Sequence, residues 1–347
     1  MTRLGACLAT RDNNLNLLRA LSAGAVIVSH ASLVLTGDEM LEPLRESTGL
    51  SLGKFAVIVF FGISGLLIAQ SFDRRRTILG FCLARIFRLW PALGASLLVS
   101  AFIIGPVATT FSAGGYFSMP GVWTFVPENL TLAIRQQGLP GVFSDNPLAG
   151  VVNGSLWSLF YEVSCYGLVL VIGVLGLLKR PRAFIALATV LLVGHVLTVT
   201  WAPQGGVAFR LQILGFFGFP FALGMAAYVW RDQLPLNLPL VMAAWLLPAA
   251  FWASAYLPSC LMVALVYTSF WLAFIPTGFV RQYNRVGDYS YGLYVYAFPV
   301  QQALVHWLPG LDLRAHLFLA FLIVTPLAVA SWHLLEKPAL MVGRKLG

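Results

Sequence analysis

The sequence predicts an all-α integral membrane protein of about ten transmembrane helices in one bundle. Both termini are expected in the cytoplasm, and residues 1–347 are expected to form one transmembrane domain with no separate soluble domain. Three observations lead there. Of the 347 residues, 59% are hydrophobic and 10% are charged, against roughly a quarter charged in a soluble domain. Apolar stretches recur from end to end at the length needed to cross a bilayer, about 20 residues with the backbone hydrogen bonds satisfied within the helix. Basic residues alternate with these stretches as the positive-inside rule requires. With the N-terminus inside, sixteen of the 22 Lys and Arg residues fall on the cytoplasmic side: Arg3, Arg11, Arg74, Arg75, Arg76, Arg85, Arg88, Lys179, Arg180, Arg182, Arg231, Arg281, Arg285, Lys337, Arg344 and Lys345. Arg45, Lys54, Arg135, Arg210 and Arg314 fall outside, beside most of the acidic residues. The net charge of +9 therefore follows the membrane, and no nucleic-acid partner is expected.

The first span, 15–36, is a permanent helix rather than a secretory signal: Arg19 interrupts it and no small-residue cleavage pattern follows. The second, 52–72, contains FFGISG (60–65), where Gly62, Ser64 and Gly65 either let helices approach closely or leave room for a substrate. The third, 87–110, follows RRRTILGFCLARIFRLWPAL, which sets Arg85 and Arg88 one turn apart at its cytoplasmic mouth, just before Pro91. Arg74 to Arg76 read as solvated topology anchors. A connection rich in Gly, Pro, Asn and Ser, 111–153, comes next; a loop of that length is more often functional than idle. The fourth span, 154–177, opens with NGSLWSLFYEVSCY. The remaining spans are 183–202, 210–230, 236–255, 258–279, 289–308 and 316–339. Short basic connections such as KRPR (179–182) join most of them, and no internal repeat is visible. The four cysteines, Cys7, Cys82, Cys165 and Cys260, show neither paired spacing nor a metal pattern, so no disulfide or metal site is expected.

The polar residues inside these spans carry the functional reading. Eleven residues of helix advance about 1100°, so Arg19 and His30 share a face and stand roughly 16 Å apart along the axis. Arg19 alone would read as a snorkelling side chain. With Arg85 and Arg88 at the same level it becomes part of a seat for a polyanion, because guanidinium forks match phosphate oxygens. His30 lies within a membrane span, where polar groups are expensive and usually line a path or a reaction site; the alternative is a core histidine bonded to a carbonyl. Glu162 is placed at a similar depth, roughly 13 Å below the external end of its span. A carboxylate that holds an imidazole in one tautomer makes it a general base, although Glu162 could instead be a protonated core acid.

RALSAGAVIVSH, FFGISG, RIFRLWP, GSLWSLFYE, GDYSYGLYVYAFPV and the terminal SWHLLEKP occur in the order seen in the acyltransferase 3 family of membrane O-acyltransferases, which the chain resembles over nearly its whole length. The resemblance implies a ten-helix core that uses cytoplasmic acyl-CoA to acylate a hydroxyl, commonly on a surface or exported glycan. Arg19 and His30 match the family's spaced arginine and histidine, Arg85 and Arg88 its paired arginines, and Glu162 the glutamate after the SLW element. Many relatives carry a histidine in a YLYHxP pattern of the ninth span. Here the pattern is YVYAFP, with Ala297 at that position and Tyr294 and Tyr296 as candidates to replace it. No fused SGNH-type esterase domain is expected.

The resulting expectation is an O-acetyltransferase of a bacterial inner membrane. Coenzyme A phosphates would bind near Arg19, Arg85 and Arg88, and the pantetheine arm would run up the first span. His30, oriented by Glu162, would deprotonate an acceptor hydroxyl. Ser64, Trp157, Tyr161 and Tyr294 are the expected substrate contacts. The donor is acyl-CoA, expected to be acetyl-CoA, with no metal. Expected partners are a glycan or lipid-linked glycan acceptor, membrane lipids and polysaccharide biosynthesis machinery. Rival readings are a secondary transporter or exporter with a His/Glu proton relay, and acylation of a small molecule such as a macrolide.

Overall fold

The computed structural model describes residues 2–75, 77–133, 136–200 and 205–346. Arg76, Arg135 and the end of the fifth expected span lie outside the described residues. Among the described residues a helix lies within each of the ten expected segments, with shifted ends: α1 (Leu15–Thr36), α2 (Leu52–Arg74), α3 (Ile78–Val99, continuing to Ala108), α4 (Trp157–Val174), α5 (Pro181–Thr200), α6 (Gly206–Val229), α7 (Leu238–Ala250), α8 (Leu257–Phe274), α9 (Ser290–Trp307) and α10 (Leu313–Ser331, continuing to Leu346). Among the described residues there is no strand. Seven helices, α1, α2, α3, α4, α6, α8 and α10, are long and apolar enough to cross a membrane, while α5 and α7 contribute shorter apolar stretches. The chain is a multi-pass integral membrane protein.

Hydropathy ranks α9 below the seven because Tyr, Ser and Gln interrupt it, and the packing explains why this is tolerated. Every residue from Ser290 to Val305 is buried, so its polar side chains meet protein rather than lipid. Ser96 of α3 donates to Val295 O at 2.8 Å, and Gln301 donates from Nε2 to Ile27 O of α1 at 2.8 Å. α9 is thus the central post of the bundle. Around it α1 and α3 run in its own direction, and α2, α4 and α10 run against it. The end holding Arg19 and Ser290 is called the arginine end below, and the end holding His30 and Phe298 the histidine end.

α3 begins at Ile78 rather than near residue 87, because the Thr77 hydroxyl caps it by accepting from Gly80 N. Arg85 and Arg88 therefore project from inside a helix, two to three turns from its start, and not from its mouth. In α10 a π-helical turn at Trp332–Glu336 carries the helix on to Leu346 and turns Glu336 inward, where it is fully buried. The FFGISG stretch divides its labour. A Cβ on Gly65 would stand 2.0 Å from Phe221 O, and one on Gly224 2.2 Å from Gly62 O, so α2 and α6 touch backbone to backbone.

The connection between α3 and α4 does not stay at the membrane edge. Asn146 donates from Nδ2 to the Gln302 O and Oε1, and Gln302 returns its own amide to Leu148 O and Val151 O. Further along, Asn153 donates to Val295 O, and the Tyr294 hydroxyl donates to Ser155 O at 2.6 Å. Residues 146–155 thus descend beside α9 from Gln302 to Tyr294, about 12 Å of helix rise. Irregular backbone at this depth is stable only when protein groups satisfy it. Asn153, one residue before the expected start of the fourth span, is only 4% exposed, and α4 starts deep in the bundle.

Candidate active site

A cavity of about 350 Å³ lies at the arginine end between α1, α2, α3, α4, α9 and α10. Its polar wall comes from Arg19 (α1), Ser64 (α2), Arg85 and Arg88 (α3), Ser158, Glu162 and Tyr166 (α4), and Asp288, Ser290, Tyr291 and Tyr294 at and after the start of α9. Val57 to Ile68 of α2 form an apolar side. The three arginines grouped from sequence share this wall.

They are not electrostatically alike. One oxygen of Asp288, Oδ2, accepts from Arg19 Nη1 at 2.5 Å and from Arg88 Nη2 at 2.6 Å, and Arg88 Nη1 lies 3.4 Å from Glu336 Oε2. Each acid also takes a hydroxyl, Asp288 from Ser290 at 2.6 Å and Glu336 from Ser331 at 3.0 Å. Burial pushes the Asp288 carboxyl up, but the Arg19 and Arg88 guanidiniums and the Ser290 hydroxyl outweigh it and hold the group below the usual carboxylate range. The Arg88 guanidinium carbon sits 5.8 Å from the Tyr291 ring and 5.9 Å from the Trp332 ring, within cation–π range. Arg85 has no ion pair among the described residues. It lies 5.8 Å from the Tyr166 ring, and its buried Nε has no hydrogen-bond partner. Two guanidiniums of the triplet are thus ion-paired by the fold, whereas Arg85 makes no ion pair and shares the chamber wall with the Glu162 carboxylate.

Glu162 stands elsewhere than expected. It accepts from Ser64 Oγ at 3.4 Å and from the Tyr166 hydroxyl. Gly53, at the histidine end of α2, packs on Ser29, since a Cβ there would meet Ser29 Oγ at 2.9 Å. Ser64 is eleven residues further down, about 16 Å below that level. Glu162 accordingly belongs to the arginine end and does not orient His30. The deep start of α4 is the physical reason: depth counted from a membrane edge does not apply to a helix that begins inside.

His30 packs its ring edge-on against Phe298, centroids 5.0 Å apart, and its buried Nδ1 has no hydrogen-bond partner. It is not in the cavity wall. The cavity reaches Val57, Ser158 and Tyr294; Val57 is four residues below Gly53, so the upper limit lies about 6 Å under the His30 level, with Tyr294 and Phe298 between. Nor does the cavity climb α1. Above Arg19 that helix is sealed by Ala23, Val26 and Ile27, each at most 2% exposed. The open route follows α2, α4 and α9 instead.

Of the other expected contacts, Ser64 and Tyr294 line the cavity and Trp157 and Tyr161 do not. Trp157 packs on Phe217 of α6 at 5.5 Å and on Tyr161 at 6.0 Å. Ser158, Glu162 and Tyr166 occupy the cavity stripe of α4, and a residue one position earlier is turned about 100° away. Tyr294 shares a 2.6 Å hydrogen bond with Ser158 Oγ. Ala297 is 1% exposed, and Tyr296 is outside the wall. Asp288, Glu336 and Tyr166 were missed from sequence. Asp288 and Glu336 lie inside the GDYSYG and SWHLLEKP stretches, where an acid beside a long apolar run was the available signal. Among the described residues no three His, Cys, Asp or Glu side chains converge as metal ligands do.

Comparison with known proteins adds the chemical class. The family described as "Acyltransferase domain", acyltransferase 3, matches residues 12–335. The chain is similar to a protein of Shigella phage Sf6 described as an O-acetyl transferase, at 30% identity over 340 residues, which is 94% of this chain and 96% of that protein. No solved structure matches.

Proposed function

Since the chain belongs to the acyltransferase 3 family, we propose that this membrane O-acyltransferase moves an acetyl group from cytoplasmic acetyl-CoA to a hydroxyl of a surface or exported polysaccharide at a bacterial inner membrane. The observation that carries the reading is the chamber itself: lined at one end by three arginines, of which Arg85 makes no ion pair among the described residues, and reaching at its other end to Ser158 and Tyr294, below the level of His30. The arginine end then faces the cytoplasm. The description of the Sf6 protein as an O-acetyl transferase supports acetyl as the group transferred, and an acceptor built by polysaccharide biosynthesis machinery would approach from the histidine end.

In this reading the donor thioester lies beside Ser158 and Tyr294 at the top of the chamber. His30 takes the proton of the acceptor hydroxyl as that oxygen attacks the thioester carbonyl. The new C–O bond forms, the C–S bond breaks, and the thiolate leaves with its electron pair toward the arginine end. The Phe298 ring, edge-on to His30, must yield for the acceptor to arrive. A second reading has its own support: Glu162 is in the chamber wall and His30 is not, which makes Glu162 a candidate base.

The test is transfer of label from acetyl-CoA to a candidate glycan by purified protein. Label in the glycan is expected, and uptake without label would favour a transporter. His30→Ala should lower transfer by about 10²–10⁴-fold while acetyl-CoA still binds. Full activity in that variant, with loss in Glu162→Gln, would move the base to Glu162.

A further inference from the structure

Beside the main chamber lies a smaller cavity of about 110 Å³ that shares Arg85 and Leu340 with it. Arg75, just past the end of α2, and Arg344, near the end of α10, complete its cationic wall, and no carboxylate lines it among the described residues. Arg75 is built in: its Nη1 donates to Gly80 O at 2.9 Å and its Nε to Ser71 Oγ at 3.3 Å. Arg344 is delivered by the close approach of α10 to α3, because a Cβ on its neighbour Gly343 would stand 2.8 Å from the Phe87 ring. Neither arginine has an ion pair among the described residues. Burial, and after it the like charge of Arg344, pull the Arg75 pKa down. The space is about a third of the volume of the main chamber.

Resting on the reading of the chamber as the donor seat, we infer that Arg75, Arg85 and Arg344 form a phosphomonoester site that holds the ribose phosphate of acyl-CoA outside the chamber. A phosphomonoester carries about −1.5 to −2 charges at neutral pH, which suits a carboxylate-free group of three guanidiniums. Arg85 stands between the two cavities, so an extended donor with its thioester in the chamber passes it on the way to the small site. Arg19 and Arg88, already neutralised by Asp288 and Glu336, serve as the scaffold and not as the anion seat. A phospholipid headgroup has the same chemistry and could reach the same end of the bundle.

The experiment compares the dissociation constants of acetyl-CoA and acetyl-dephospho-CoA for wild type, Arg75→Gln and Arg344→Gln in phosphatidylcholine nanodiscs. Wild type should prefer acetyl-CoA by about tenfold or more, and in both variants the ratio should fall toward one with acetyl-dephospho-CoA still binding. An absent preference in wild type, an unchanged ratio in the variants, or equal weakening toward both ligands would overturn the assignment. If wild type shows no preference, but binds added phosphatidic acid in a manner both variants lose, the site belongs to a lipid and the donor assignment falls. Wild type that binds neither thioester would overturn the functional reading itself, a result distinct from an unchanged ratio.

Discussion

At the arginine end, Arg19, Arg88, Asp288 and Glu336 are each held by an opposite charge, and Ser290 and Ser331 complete the two carboxylates. At the histidine end and along the descending loop, His30 Nδ1, Gln301 Oε1, Ser155 Oγ and both ring nitrogens of His316 are buried without a hydrogen-bond partner, whereas at the arginine end Arg85 Nε and Asn14 Oδ1 are the open atoms beside the closed pairs. The contrast separates two uses of buried polarity. Closed charge pairs fix geometry, and removing one member strands the other, which costs far more than the pair is worth. Open polar atoms in a membrane protein weaken the fold by an amount each, and sites of chemistry are where such atoms are kept.

The sharpest way to break the comparison is Asp288→Ala, which strands Arg19 and leaves Arg88 only its 3.4 Å contact with Glu336. Unfolding in mild detergent should show a loss of about 3–5 kcal/mol; a change below about 1 kcal/mol would mean the pairs are not closed. Next is acid. Asp288 has a folded pKa below its unfolded value of about 3.9, so its contribution is fully present above that unfolded value and is lost as pH falls through the folded pKa. The melting temperature should show no step from this group between about pH 5 and 8 and should fall below about pH 4, and Asp288→Ala should flatten that fall. The smallest effect is expected at the histidine end. Gln301→Leu removes one donor from Ile27 O, a carbonyl inside α1, and should cost about 1 kcal/mol or less. A loss as large as that of Asp288→Ala would erase the distinction between the ends.

Much of the fold was legible because hydropathy is local. The apolar lengths located ten helical segments, and the basic residues drew Arg19, Arg85 and Arg88 to one level. What was not legible depended on contacts between distant residues. Glu162 lies deeper than its distance from the span's end implies because residues 146–155 descend beside α9, held there by Asn146, Asn153, Gln302 and Tyr294. Trp157 and Tyr161 were assigned to a substrate for want of knowing which stripe of α4 faces the chamber. The ion pairs were invisible because Asp288 is 269 residues from Arg19, and Glu336 is 248 from Arg88.

The sequence by itself determined the solvent of this chain, its helical segments and the chemical class of its polar residues, since each follows from the transfer energy of side chains along a short window. The tertiary structure alone decided which arginines are neutralised, where the chamber runs and how far it stops short of His30. Coulomb energies and hydrogen bonds act over a few ångströms in space, and the groups that meet in this bundle come from opposite ends of the chain.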